Sequence, residues 1–173
     1  AYCANISYLD DKVGELLTTL DDTGFADDTI VLFVADHGDM LGERGLWYKM
    51  NFFEGAARIP LSIAAPGRFT PRSVTMPASG LDVVPTLLEL AGIEEDALAL
   101  PLDGVSLVAA AEGREDERRV VAAEYMAEGS VSTMLMLRQG PWKYVWCEAD
   151  PVQLYHLGDD PHERVNLADD PVA

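Results

Sequence analysis

An acidic residue and an imidazole directly follow the most apolar stretch of the sequence. The run Thr29–Ala35 (TIVLFVA) stops abruptly at Asp36-His37-Gly38-Asp39. Ligands in open α/β sheets gather at the carboxyl ends of strands, where Asp36 and His37 would offer a divalent cation one hard oxygen and one imidazole nitrogen. The alternative is a capping aspartate beside a hydrogen-bonded loop histidine. In both interpretations Gly38 allows the chain to turn sharply out of the strand.

Among the charged residues that follow this pair, three are further candidates for the site or its support. Lys49 is one of three lysines in the chain and ends a segment with two glycines and two aromatic residues. It could face the same pocket and hold an anionic group as a compact point charge, or it could be a solvated surface lysine. For Glu54 and Arg58, the sequence favours ion pairs that support the loop over a role as ligands.

The elements that must position these residues alternate between helix and strand. Apolar residues at spacings of three and four predict an amphipathic helix over Tyr2–Leu20. The run Thr29–Ala35 is typical of a strand covered on both faces in a parallel sheet, and Leu61–Ala65 is a second short strand. Leu81–Ala91 is predicted to be a helix with Pro85 in its first turn. This order predicts the α/β class, with a mostly parallel sheet and flanking helices.

The second part of the chain has a different pattern. Acidic residues, glycine and proline between Glu94 and Glu117 mark a boundary, and we expect one part over residues 1–112 and a small subdomain over 113–173. Three segments with strand character predict a small antiparallel sheet: Val120–Tyr125, Thr133–Arg138 and Trp142–Cys147. The acidic end, Gln153–Asp170, is predicted to be loop.

Composition excludes several classes of protein. The chain has 173 residues, with 30 Asp and Glu against 12 Lys and Arg, for a formal net charge of −18. A protein that binds the nucleic acid backbone needs the opposite sign. No apolar run approaches the roughly 20 residues of a membrane span, so we expect a globular protein that binds neither nucleic acid nor membrane. Nothing in the sequence directs export, so the compartment stays open, with the cytoplasm favoured. The two cysteines, Cys3 and Cys147, are too few for a disulfide scaffold, and two buried thiols are favoured over one bridge between them.

Several ordered motifs carry a family resemblance. The stretch TIVLFVADHGDMLGERGLWYKMNFFEGAARIPLSIAAPG resembles the sulfatases of the alkaline phosphatase superfamily, and its pieces GERGLWYKM and FFEGAARIPL are most similar to choline-sulfatases. The helix YCANISYLDDKVGELL, the segment SGLDVVPTLLELAGI and the ending QLYHLGDDPHERVNLADDP resemble the carboxyl-terminal regions of sulfatases, in the same order. Almost the whole chain is covered by the resemblance.

The resemblance implies a fold and a chemistry. It implies the distal part of an alkaline-phosphatase-like sheet, a divalent metal (Ca, Mn or Mg) with Asp36 and His37 as two of its ligands, and contact of Lys49 with the sulfate group. Such a metal polarises the sulfate oxygens while positive groups stabilise the developing charge. Ala35 stands where many relatives have Ser. Arg44 stands where some sulfatases have His, which weakens assignment to arylsulfatases more than to choline-sulfatases.

The nucleophile of the family is not found in this sequence. Sulfatases use a Cys or Ser, followed by Pro two residues later and Arg two further on, that is oxidised to formylglycine. Neither Cys3 (CANIS) nor Cys147 (CEADP) has this pattern, and the amino-terminal Asp pair of the metal site is also absent. We therefore expect a carboxyl-terminal part of a sulfatase, with formylglycine in the missing amino-terminal part.

The activity implied for the parent protein is hydrolysis of a small sulfate ester, with choline sulfate preferred. Hydrolysis of phosphonate or phosphate esters is the alternative, since the same groups suit any tetrahedral oxyanion. A third hypothesis is a non-catalytic piece that associates with itself, as a homo-oligomer, or with a missing half, because exposed strand edges favour pairing. Aromatic faces or carboxylates would suit a trimethylammonium group, although aromatic residues near strands are more often core. The candidates are Trp47, Tyr48, Trp142, Trp146, Glu124 and Glu128.

The first prediction concerns the 173-residue chain by itself. Without a nucleophile, Asp36, His37 and Lys49 can bind and polarise a sulfate that nothing attacks. We therefore expect no sulfate release from choline sulfate or an aryl sulfate, with Mn²⁺, Ca²⁺ or Mg²⁺ supplied. The measurement is sulfate release by the purified chain beside its Asp36→Ala variant. Turnover that the variant abolishes would show that the site is complete.

Overall fold

The computed structural model describes residues 1–94, 98–127 and 129–171, which form two compact units. The first unit contains residues 1–33 and 61–71, and the second contains 34–60 and 72–173. The described helices are α1 (Tyr2–Asp22), α2 (Glu54–Ala57), α3 (Val83–Ala91) and α4 (Val108–Ala111). The described strands are β1 (Val31–Val34), β2 (Met40–Leu41), β3 (Trp47–Tyr48), β4 (Leu61–Ala64), β5 (Val120–Tyr125), β6 (Met134–Gln139), β7 (Trp142–Cys147) and β8 (Asp150–His156). The predicted boundary after residue 112 stays a prediction.

The first unit contains the long helix and a pair of strands. Helix α1 extends slightly past its predicted end, and β1 pairs with β4 in a two-stranded sheet. The prediction that the first strand is covered on both faces is wrong for these residues, since Phe33 and Val34 are exposed. Its apolar run nevertheless forms a strand because β-branched residues favour the extended backbone. Cys3 is also exposed, contrary to prediction, because no residue of α1 is buried.

The second unit is built on an antiparallel sheet in the order β5-β6-β7-β8. Its first three strands confirm the predicted segments, with Gly140 at φ 49° in the tight turn between β6 and β7. The prediction of a loop from Gln153 is wrong at its start, because β8 pairs with β7 as far as His156. Pro151 is tolerated in β8 because this is an edge strand, where a missing N–H does not interrupt the sheet.

One row of residues crosses the inner face of this sheet. Val121, Arg138, Lys143 and Tyr155 lie opposite one another in register on the four successive strands. Lys143 is only 1% exposed and Tyr155 is 4% exposed. Because side chains alternate between faces along a strand, the neighbouring Trp142 and Tyr144 lie on the outer face, where both are exposed. The inner row therefore places two cations, Arg138 and Lys143, on the face of the sheet against which other segments pack.

A buried carboxylate organises the region around α3. Asp82 is fully buried and accepts hydrogen bonds from the backbone N–H groups of Ser79 and Val105, and Arg119 Nη2 donates to both of its carboxylate oxygens, at 2.6 and 2.7 Å. Gly104 has no room for a side chain here, since an added Cβ would lie 2.1 Å from the carbonyl oxygen of Leu81. The motif SGLDVVPTLLELAG and the following DG are thus held together by the buried Asp82 carboxylate and its contacts with Ser79, Val105 and Arg119, which we call the Asp82 latch.

No helix among the residues that the structure describes has the length and apolarity that crossing a membrane requires. The class observed, with helices and strands in alternation and an antiparallel carboxyl-terminal sheet, is the predicted α/β class.

The latch predicts a large effect of Arg119→Met. This change leaves the buried Asp82 carboxylate without its cation, and breaking a buried pair in this way costs about 3–5 kcal/mol. Arg118→Met is the matched control, because the Arg118 side chain is exposed and should change the free energy of unfolding by about 0.5 kcal/mol or less. Urea unfolding measures both, and equal effects of the two variants would contradict a specific role for the pair.

Candidate active site

Asp36 and His37 lie in the loop that follows β1, and their side chains are close together. The His37 backbone N–H donates to Asp36 Oδ1 at 2.9 Å, and His37 Nε2 lies 3.4 Å from Asp36 Oδ2. His37 Nδ1 lies 2.8 Å from the Gly38 carbonyl oxygen. Because a carbonyl can only accept, Nδ1 carries a proton, and in the neutral ring Nε2 then presents its lone pair. The loop thus presents one carboxylate and one imidazole lone pair to nearly the same point.

Lys49 lies close to this pair and contacts His37. Its Nζ lies 2.7 Å from His37 Nε2, and since an ammonium can only donate, this contact requires the same tautomer. The structure therefore brings together Asp36, His37 and Lys49, the three residues selected from the sequence. Their roles as metal ligands and sulfate contact stay predictions.

The Asp36 carboxyl is held in its charged form. The hydrogen bond from the His37 backbone N–H lowers the pKa of Asp36 most, and the positive charge of Lys49 is a smaller effect in the same direction. Asp36 is exposed, so the effect is local and screened by solvent. An exposed carboxylate with a low pKa is available as a hard oxygen donor at neutral pH.

The loop after His37 is closely packed against α2. The Gly38 N–H donates to the Ala56 carbonyl at 2.8 Å, and a Cβ on Gly38 would lie 2.2 Å from the Gly55 carbonyl oxygen. A Cβ on Gly55 would in turn lie 2.9 Å from the Met40 sulfur. Two glycines therefore allow two segments of backbone to touch, and α2 sets the position of the Gly38 carbonyl that orients His37.

The segment that carries Lys49 contains two residues with a left-handed backbone. Arg44 has φ 57° and Tyr48 has φ 69°, a conformation that costs a residue other than glycine about 1–3 kcal/mol and persists only where its surroundings enforce it. The Arg44 guanidinium enforces it at one position, by donating to the carbonyls of His162 and Glu163 and lying 4.2 Å above the Phe53 ring. Arg44 thus ties the loop to the carboxyl-terminal segment.

A cluster of charged side chains, formed by Lys143, Glu54 and Glu163, holds the first residue of α2 in place. Lys143 Nζ lies 2.8 Å from Glu54 Oε1 and 2.8 Å from Glu163 Oε1, and the Glu54 backbone N–H donates to Glu163 Oε2 at 2.8 Å. The prediction that Glu54 forms a supporting ion pair is confirmed. The sequence did not reveal its partners, although a lysine at an inward position of the apolar strand WKYVWC was a signal that it must meet a carboxylate.

Burial shifts the pKa values of two residues beside this cluster. Burial is the largest effect on Arg138 and lowers its pKa, while the carboxylates of Glu54 and Glu163 raise it. Burial is also the main reason that the pKa of Tyr155 is raised. The Tyr155 ring packs against Phe53 with centroids 6.4 Å apart. The inner row of the sheet therefore contacts residues 53 and 54, directly before and at the start of α2.

The candidates for binding a cationic head group lie in different places. Trp47 and Tyr48, beside Lys49, are 61% and 68% exposed. Trp142 packs edge-on against His156 in the sheet, with centroids 4.6 Å apart, and Trp146 is half-buried in β7. Glu124 is exposed on β5, and Glu128 lies outside the described residues. Of the described candidates, Trp47 and Tyr48 directly precede Lys49 in the sequence.

The similarity of this chain to known proteins decides its family. Residues 1–93 match the family model described as Sulfatase. The chain belongs to the sulfatase family. A choline-sulfatase from Rhizobium meliloti is 56% identical over 171 residues, covering 99% of this chain and 33% of that protein. An arylsulfatase K from Danio rerio is 35% identical, covering 96% of this chain and 33% of that protein.

A solved structure extends the comparison to the fold. The phosphonate monoester hydrolase of Agrobacterium radiobacter superposes with a TM-score of 0.79 at 28% identity, covering 96% of this chain and 36% of that chain. This sulfatase chain spans about a third of the length of the curated relatives that it matches. Within residues 1–94, 98–127 and 129–171, no group of three or more His, Cys, Asp or Glu side chains could hold a metal ion. Asp36 and His37 form a pair and not such a group, and their role as ligands stays a prediction.

The contact between Gly38 and α2 predicts the effect of Gly38→Ala. The new methyl group would overlap the Gly55 carbonyl and force the two segments apart, at a cost of about 1–3 kcal/mol. Gly14→Ala is the control, because a Cβ at Gly14 in α1 meets nothing within 4 Å and should stabilise the helix by about 0.5–1 kcal/mol. Urea unfolding compares the two. Stabilisation by both alanines would show that the close approach is not a constraint.

Proposed function

We propose that this chain supplies the metal-binding loop and the sulfate-binding lysine of a sulfate ester hydrolase, with choline sulfate as substrate. The observation that carries the proposal is the convergence of Asp36 Oδ2, His37 Nε2 and Lys49 Nζ in one loop. Two of these atoms are electron-pair donors that face each other at 3.4 Å with no proton between them, and the third is a cation. Such a set suits a positive ion beside a sulfate anion.

The donor set fits a divalent cation. A carboxylate and a neutral imidazole are ligands that Mn²⁺, Ca²⁺ and Mg²⁺ sites use, with the imidazole favouring Mn²⁺. The hydrogen bond from His37 Nδ1 to the Gly38 carbonyl is the kind of support that ligating histidines require, since it fixes the ring with Nε2 outward. A cation held by Asp36 and His37 would polarise the sulfate oxygens. Further ligands would have to come from outside the described residues, because hard cations take about six donors.

Each residue of the chain then has a defined task. Asp36, charged at neutral pH, would bind the cation, and His37 would add its Nε2 lone pair. Lys49 would move its ammonium from His37 to a sulfate oxygen, where it stabilises the negative charge that develops as the ester bond breaks. A formylglycine nucleophile, on a segment outside these 173 residues, would complete the site.

Choline sulfate is favoured by two observations. Identity to the choline-sulfatase is 56%, against 35% to the arylsulfatase K. In addition, Trp47 and Tyr48 expose aromatic faces directly before Lys49, and such faces attract quaternary ammonium groups.

Hydrolysis of phosphonate monoesters is the second candidate, favoured by the superposition with a phosphonate monoester hydrolase at a TM-score of 0.79. Rates on choline sulfate, an aryl sulfate and a phosphonate monoester separate the possibilities.

A non-catalytic role through association is favoured by exposed apolar residues of α1, among them Ile6, Leu9 and Leu16. In that case no substrate would be turned over, even with the nucleophile segment supplied.

The prediction concerns Lys49→Ala in a polypeptide that also carries the nucleophile segment. Loss of one charge-stabilising group should lower kcat/KM for choline sulfate by about 30- to 1,000-fold, equivalent to about 2–4 kcal/mol. Lys12→Ala is the matched control, since Lys12 is a partly exposed lysine of α1 paired with Glu15. The measurement is steady-state sulfate release with the metal content of each variant determined. An unchanged rate at normal metal content would remove Lys49 from the site.

A further inference from the structure

Lys143 is the largest of the fully buried side chains in the part of the chain that the structure describes, and it is charged. It lies on β7, opposite Arg138 and Tyr155, and its ammonium touches two carboxylates, those of Glu54 and Glu163. Glu163 is itself only 3% exposed. Removing one partner from such a cluster leaves uncompensated charge in a medium of low dielectric constant. The three side chains therefore hold one another in a single arrangement.

This arrangement fixes the start of α2. Glu54 is the first residue of α2, and it is held twice: its side chain pairs with Lys143, and its backbone N–H donates to Glu163. A helix of four residues has too few internal hydrogen bonds to keep its shape alone. The position of α2 is thus imposed by contacts with β7 and the carboxyl-terminal segment.

Helix α2 in turn contacts the loop of His37. The Ala56 carbonyl accepts from the Gly38 N–H, and the Gly55 carbonyl lies against the Gly38 Cα, where no larger residue fits. The Gly38 carbonyl accepts from His37 Nδ1 and so selects the tautomer that presents Nε2 to Lys49 and Asp36. Each link is a direct contact, and the path from Lys143 to His37 runs through Glu54, α2 and Gly38.

We propose that Lys143 is a positioning residue of the active site, which fixes the tautomer and orientation of His37 through Glu54, α2 and Gly38. It touches no reacting group and acts through the backbone that it holds. The proposal rests on the proposed function for the roles of His37 and Lys49, but its test does not need catalysis.

A second buried ion pair provides a matched control. Arg119 pairs with the fully buried Asp82, and their other partners are the backbones of Pro77, Ser79 and Val105. Arg119→Met and Lys143→Met both leave buried carboxylate without a cation, so both should destabilise the chain. Only Lys143 belongs to the path of contacts that reaches His37.

The experiment reads the His37 ring in the 173-residue chain labelled with ¹⁵N-histidine. Two-bond ¹H–¹⁵N spectra at about pH 8.5, well above the usual histidine pKa of about 6.5, report which ring nitrogen carries the proton. The His37 signals are assigned by their loss in His37→Asn. We expect wild type and Arg119→Met to show His37 with the proton on Nδ1. Lys143→Met should lose this single form and gain the Nε2–H form that free histidine prefers.

A second variant covers the case in which Lys143→Met does not fold, as judged by far-ultraviolet circular dichroism. Lys143→Met combined with Glu54→Gln and Glu163→Gln removes all three charges of the cluster, and the amide oxygen introduced at position 163 can still accept from the backbone N–H of position 54. This variant should also lose the single Nδ1–H form. The proposal is wrong if the folded Lys143→Met or triple variant keeps it, or if Arg119→Met loses it equally.

Failure of the proposed function would be visible separately. In that case the polypeptide with the nucleophile segment would release no sulfate, while the histidine spectra would still report whether Lys143 orients His37.

Discussion

The buried ammonium of Lys143 between two carboxylates is the constraint on which the arrangement of the second unit depends. Glu54 and Lys143 are separated by 89 positions in sequence, yet their charged atoms lie 2.8 Å apart, with the Lys143 side chain buried and that of Glu54 partly buried. Neither partner tolerates burial alone, because an unpaired charge in the interior costs several kcal/mol. The antiparallel sheet and the start of α2 must therefore form together, and the loop of His37 follows from the position of α2.

The scarcity of cations in this acidic chain makes their placement informative. With a formal net charge of −18 and three lysines, one lysine pairs on the surface of α1, one lies beside His37, and one is buried under α2. Several arginines are similarly placed: Arg44 binds carbonyls of the carboxyl-terminal segment, and Arg119 closes the Asp82 latch. Two of the three lysines and Arg119 are thus used inside the fold or beside the candidate site, whereas other cations, such as Arg114 and Arg118, are exposed, as are most of the carboxylates of the described residues.

Local pattern predicted much of this fold. Helical periodicity identified α1, the segment with Pro85 in its first turn was identified as α3, and strand-like composition identified β5, β6 and β7 with their turn at Gly140. The edge strand β8 was missed because Pro151 and the acidic residues around it resemble a loop, whereas pairing with β7 decides its structure. For the site, the order of apolar strand and polar pair pointed to Asp36 and His37, and the resemblance to sulfatases selected Lys49 over a surface interpretation. The partners of Glu54 could not be predicted, since no local pattern reveals which distant strand brings Lys143 beneath it.

The contact between Gly38 and Gly55 has a consequence for how such proteins can be altered. Because each glycine leaves room for the backbone or side chain of the other segment, neither segment can change its main-chain path independently. Loop exchange between related enzymes should therefore transplant residues 36–58 as one segment. Lys143 and Glu163, which contact Glu54 in this segment, should be transplanted with it. A shorter graft would place the correct polar side chains on a backbone that cannot form the close contact between Gly38 and Gly55.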